Sequence, residues 1–150
     1  MNTKKLLNNK SGFTLLEIII VIIIIGVLAS LALPKLFATV EKSKATEALA
    51  AIGATRSALD RCRLQHGTYG SYTGGTCAAY TSLDMADPSS PLAAGSHFTY
   101  VFSNMNTNTY TITATRNTYD GGDNTSTIEV IYSEVSNTLT KSGTGVFSGI

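Results

Sequence analysis

Ser11-Gly12-Phe13-Thr14-Leu15-Leu16-Glu17-Ile18-Ile19-Ile20-Val21 opens the stretch whose reading decides this chain. From Ile18 to Leu33 only Gly26 and Ser30 interrupt the aliphatic side chains, and Pro34 follows. Residues 13–33 make 21 positions. As a helix rising about 1.5 Å per residue they span roughly 30 Å, the thickness of one bilayer core. A single carboxylate, Glu17, sits near the start, and Lys4, Lys5 and Lys10 precede the run with no acid among them. A lysine-rich flank stays in the cytoplasm, so the chain beyond Leu33 is expected to be exported. The run exceeds the roughly 7–15 residues of a secretory apolar region, so a cut after it is not expected. A lone carboxylate within it costs on the order of 2–3 kcal/mol at mid-bilayer, less near the interface, and marks function.

Gly12-Phe13-Thr14-Leu15-Leu16-Glu17, the aliphatic run, Gly26 and Pro34 together resemble the class III signal of type IV prepilins. The match covers residues 1 to about 40, and more loosely the helix to near Leu64. The resemblance implies cleavage after Gly12 by a membrane prepilin peptidase and N-methylation of Phe13. The helix is then retained as a filament core, built with the inner-membrane pilus assembly machinery. It also implies a role for Glu17, whose carboxylate would meet the free amine of a neighbouring subunit's Phe13. In an apolar core neither charge has water to turn to, so each favours the register that supplies the other. A second reading of Glu17 is local: Thr14-x-x-Glu17 is a capping box that satisfies orphan amides of the first turn.

Gly26 and Pro34 fall within the helix. Proline removes one backbone hydrogen bond and crowds the preceding turn, and glycine lowers helix propensity by about 1 kcal/mol relative to alanine. A helix break between them on leaving lipid is one expectation; close helix packing at Gly26 is the other. After Pro34 the pattern becomes amphipathic. Leu36, Phe37, Val40, Ala45, Ala48, Leu49, Ile52, Leu59 and Cys62 recur at three- and four-residue spacing, with charged residues between them. The helix is expected to run from Thr14 to about Leu64, some 75 Å, and to stop just before Gly67.

Residues 67–95 read as a loop punctuated by glycine and proline. Cys62 and Cys77 are the only cysteines, and an exported pair so close together is most simply a disulfide. From His97 the period becomes two. Phe98/Tyr100/Phe102, Tyr110/Ile112/Ala114 and Ile128/Val130/Tyr132 alternate with mostly polar residues, and a weaker strand covers 137–141. Short polar loops between them predict an antiparallel meander with its aromatic face on the helix and its threonine-rich face in solvent. The fold class is therefore α+β: a long amino-terminal helix packed on a four-stranded antiparallel sheet, which is the type IV pilin fold the resemblance implies. Residues 1–12 are leader, 13–34 the membrane and filament-core helix, and 35–150 the head.

Little here points to catalysis, and no enzyme or cofactor is expected. His66 and His97 stand alone in sequence, His66 being read as a helix-end residue. Two thiols and two scattered histidines do not make a zinc site. Asp120 and Asp123 offer oxygen ligands for calcium, but the segment 120–124 reads better as a turn. Asn124-Thr125-Ser126 is a formal sequon, a weak three-residue match. The chain carries eleven basic and ten acidic residues. Removing the leader leaves eight against ten, a formal −2. That balance argues against nucleic acid as a partner. The expected partners are other copies of the chain, joined through their amino-terminal helices, and the membrane before assembly. The leading function is a structural type IV pilus subunit, serving adhesion, motility or DNA uptake. It begins as a single-pass inner-membrane precursor with its head outside and ends in an extracellular pilus. The alternatives are a major pseudopilin of a type II secretion system, against which the absence of tryptophan counts, and a minor DNA-binding competence pilin.

Overall fold

The computed structural model describes residues 12–89 and 95–150, so the expected leader lies outside the described residues up to Ser11. The chain divides into two compact units between Phe37 and Ala38, and helix α1 (Leu15–His66) supplies backbone to both.

In the first unit α1 is apolar on every side. Residues 12–37 are exposed apart from half-buried Ala29. This part of the helix is long and apolar enough to cross a membrane. In the single subunit the helix continues through Gly26 and Pro34 without interruption, and the expected break concerns the subunit that has left lipid. Proline forfeits only its own amide bond, and the intact turns on either side keep the helix going. Leu36, Phe37 and Val40, expected on the buried stripe, are 57%, 65% and 44% exposed.

In the second unit the rest of α1 buries a narrower stripe of Ala45, Ala48, Ile52, Thr55, Ala58, Leu59 and Cys62. The small residues at 45, 48 and 58 let a sheet lie close to the helix axis. Thr55, missing from the expected stripe, is tolerated because its hydroxyl donates to the Ala51 carbonyl at 2.8 Å. Gly67 closes the helix in the left-handed region (φ +77°), its amide donating to the Arg63 carbonyl. The loop that follows carries a small hairpin, β1 (Ser71–Tyr72) and β2 (Gly75–Thr76), and a 3-10 turn (Tyr80–Leu83).

The main sheet is β3 (Phe98–Ser103), β4 (Thr109–Arg116), β5 (Thr127–Ser133) and β6 (Thr138–Gly143), antiparallel in chain order. Ladder pairs such as Phe102↔Ile112↔Val130 place the expected aromatic and aliphatic residues on one face. That face and the α1 stripe form one core with Leu83 and Phe147. The threonine face is less wet than expected. Thr111 is buried and Thr113 and Thr115 are half-buried, because β4 is an interior strand flanked on both sides. A last 3-10 turn (Gly145–Phe147) brings Phe147 under Phe98, with ring centroids 5.5 Å apart.

Candidate functional site

The first turn of α1 forms a reciprocal cap. The Thr14 amide and hydroxyl donate to Glu17 Oε2 at 3.2 and 3.3 Å, and the Glu17 amide donates to Thr14 Oγ1 at 3.2 Å. The capping box is thus formed in the single subunit, and it leaves Glu17 exposed. Both roles of Glu17 are compatible with this geometry. The Thr14 hydroxyl bond is weak and solvent-facing, so the carboxylate keeps the capacity to accept from a stronger donor such as an ammonium group. Gly12 and Phe13, on either side of the expected cut, precede the helix and are exposed, Phe13 by 84%.

Behind this lies an apolar stretch with no cover among the described residues. Twelve of its large side chains from Leu15 to Leu28 are 40–78% exposed. At about 25 cal/mol per Å², leaving so many aliphatic side chains in water would cost tens of kcal/mol. The segment therefore requires lipid or other helices around it. Contiguous apolar surface of this extent marks an interaction site.

A second cluster ties the head's helix to the end of its sheet. Arg116, at the end of β4, is fully buried. Its Nε donates to Glu41 Oε2 at 2.9 Å and Nη2 to Glu41 Oε1 at 3.3 Å, a bidentate pair with α1. Nη1 donates to the carbonyls of His97, Asn117 and Tyr119. Hydrogen bonding from Arg116 holds the Glu41 carboxyl down to about 2. Lys44 bridges Glu41 and Asp120 at 2.7 and 3.0 Å, and the bond to Glu41 raises its pKa. Glu47 receives the amide and ring Nδ1 of His97 at 3.1 and 2.6 Å.

Sequence singles out none of this cluster as a linked group; of its members Asp120 alone is a candidate ligand, for calcium. The two candidate ligands are engaged separately. Asp120 faces Lys44, which lowers its pKa, whereas Asp123 accepts from the amides of Thr125 and Ser126 and from the Ser126 hydroxyl. Asp120 and Asn124 adopt left-handed φ values of 54° and 57°, so the segment behaves as a tight turn. His97 is not alone: the helix carries its acid fifty residues earlier in the chain. His66 stacks flat on Tyr72 with ring centroids 3.7 Å apart. Cys62 and Cys77 are joined, fastening the loop after α1 to the helix. A signal for Arg116 existed in its position, since Tyr110, Ile112, Ala114 and Arg116 share one strand face. Its charge concealed it.

Two family models match the chain. "Type IV minor pilin ComP, DNA uptake sequence receptor" covers residues 34–128, and "Prokaryotic N-terminal methylation motif" covers 7–33. Among curated relatives, proteins named "Type II secretion system core protein G" are similar. The one from Aeromonas hydrophila is 45% identical over 60 residues, 40% of this chain and 42% of the relative. That of Escherichia coli strain K12 is 42% identical over 87 residues, 58% and 57% of the two chains. That of Vibrio cholerae is 34% identical over 84 residues, 56% and 58%. The chain thus spans about half the length of these relatives.

Proposed function

The chain belongs to the type IV pilin family, in the branch described as type IV minor pilin ComP, DNA uptake sequence receptor, and from that premise we propose that it is a structural filament subunit. It is inserted as a single-pass precursor and packed through the apolar part of α1. The observation that carries this reading is the wholly exposed apolar helix with one carboxylate at its start. Lys4, Lys5 and Lys10 support a cytoplasmic amino terminus and a head outside. Cleavage after Gly12 by a prepilin peptidase and N-methylation of Phe13 follow from the matched methylation motif. Glu17 is proposed to exchange its Thr14 donor for the Phe13 amine of a neighbour, with copies of the chain as the principal partners and the inner-membrane machinery as builder. The role is structural rather than enzymatic. The helix break at Gly26 and Pro34 is proposed for the assembled state only.

The test is mass spectrometry of sheared surface filaments. A chain beginning at N-methylated Phe13 within filaments supports the reading. An intact leader, cleavage beyond Leu33, or absence of the chain from every filament preparation overturns it.

A second reading is favoured by the matched family's description: a head that captures DNA. Several of the head's cations are already committed. Arg116 and Lys44 are paired with acids, Arg63 forms an ion pair with Glu134, and Arg56 lies over the Tyr132 ring. Lys42, Arg61 and Lys141 remain as candidates for phosphate contact. A salt-dependent shift of labelled duplex by the purified protein, weakened by Arg61→Ala or Lys141→Ala, would establish it.

A further inference from the structure

His97 occupies a junction that the filament role leaves unused. It stands where the chain enters β3. Its amide and ring Nδ1 both grip the Glu47 carboxylate on α1, and its carbonyl accepts from Arg116 Nη1 and the Asn117 amide. The opposite ring nitrogen, Nε2, lies 3.8 Å from Asp120 Oδ2 in the turn 118–124. The edge of the ring meets Tyr119 at 5.4 Å. One imidazole therefore sits between two carboxylates that belong to different elements.

The surrounding charges make its protonation state matter. α1 contributes Glu41, Lys44 and Glu47. The end of β4 and the turn contribute Arg116, Tyr119 and Asp120. Residues 90–94, just upstream, carry no ionisable side chain. Three carboxylates thus face two permanent cations, and a charged His97 supplies the missing positive charge. With Nδ1–H committed to Glu47, a neutral ring turns a lone pair toward Asp120. A charged ring turns an N–H there instead.

We propose that His97 is a pH-operated clamp: doubly protonated, it draws the turn 118–124 toward Glu47 of α1, and loss of the Nε2 proton slackens that turn. Histidine is the one side chain whose charge ordinarily changes near neutral pH. Glu41 and Asp120 stay ionised over that range, both held low by their cationic partners. Slackening is partial, because Lys44 still holds Asp120 and Arg116 still holds the Tyr119 carbonyl. The device would let the surface formed by Tyr119 and Asp120, 56% and 65% exposed, respond to the pH outside the cell.

The experiment is an NMR titration of the full chain in detergent micelles from pH 5 to pH 8. The His97 ring and the amides of Asp120, Gly121 and Gly122 are followed together. The expected result is a common midpoint for ring and turn, with the Gly122 amide losing protection above it once the intrinsic rise of exchange with pH is divided out. The movement of the turn should be lost in His97→Gln, which keeps a donor but cannot titrate. Asp120→Asn, at an exposed position, should uncouple the turn while His97 still titrates. Turn amides that stay flat while His97 titrates, or that move unchanged in either variant, overturn the proposal.

Discussion

Arg116 has every nitrogen of its guanidinium engaged, although none of the residue reaches water. A buried ion pair is expensive to desolvate, so its loss is felt mainly as an unpaired partner left behind. Arg116→Met should destabilise the head by about 3 kcal/mol, since Glu41 retains Lys44 and some access to water. In a chain of this size that corresponds to a fall in melting temperature of roughly 6–12 °C by circular dichroism. Glu41 makes the complementary pH prediction. Its carboxyl is lowered from 4.5 to about 2, so it stabilises the head above its unfolded value. That contribution, on the order of 3 kcal/mol, should fade as pH falls from about 4.5 to about 2. Acid titration of Glu41→Gln should show a shallower loss of stability over the same window; an identical slope would contradict the assignment. Sequence reading found neither residue, because ion pairs spanning 75 positions have no local pattern. The disulfide and the cap were legible for the opposite reason: Cys62 and Cys77 are the only thiols of the chain, and Glu17 stands three residues after Thr14 at the start of an apolar run.

Among the elements, the strands were readable because a half-buried sheet forces a period of two, and ladder pairs join the residues that the alternation had grouped. The helix was readable to within two residues because Gly67 supplies the left-handed closure. The hairpin of β1 and β2 was not legible, since two-residue strands are too short to carry a period. The carboxyl-terminal fastening was also missed. The amides of Thr127 and Val146 donate to the Thr144 and Ser126 hydroxyls, the latter held by Asp123. A Cβ added at Gly145 would overlap the Ser126 hydroxyl, and the residue sits at φ +60°. Gly145→Ala should therefore unseat Phe147 and cost about 2 kcal/mol or more, read as earlier denaturant unfolding. The disulfide fastens the other end of the head. Closing a separation of 15 residues should contribute about 3 kcal/mol. Reduction, or a Cys62→Ala/Cys77→Ala pair, should lower the denaturant midpoint accordingly. Alkylation of unreduced, denatured protein should label neither cysteine.

At the scale of the whole molecule, one chain carries two regimes of burial. The head buries one apolar core between helix and sheet, with Leu64 and Val135 among the residues left outward, while the first part of α1 leaves every large side chain outward. In the proposed function, lipid would cover that surface in the precursor and neighbouring helices in the filament, so one segment would serve both states. The polar exception is Glu17, and the two readings of it separate cleanly. A cap costs about 1 kcal/mol to lose and a glutamine restores most of it, because its amide oxygen still accepts from the Thr14 amide. An ion pair in an apolar core cannot be restored by a neutral side chain, and a charge left without its partner costs about 3–5 kcal/mol at every subunit. The decisive measurement is the yield of sheared filament from cells carrying Glu17→Gln, scored beside the amount of subunit in the membrane. Normal membrane levels with filaments abolished or strongly reduced are the predicted result; normal filament yield would leave Glu17 only its cap and contradict assembly through this charge.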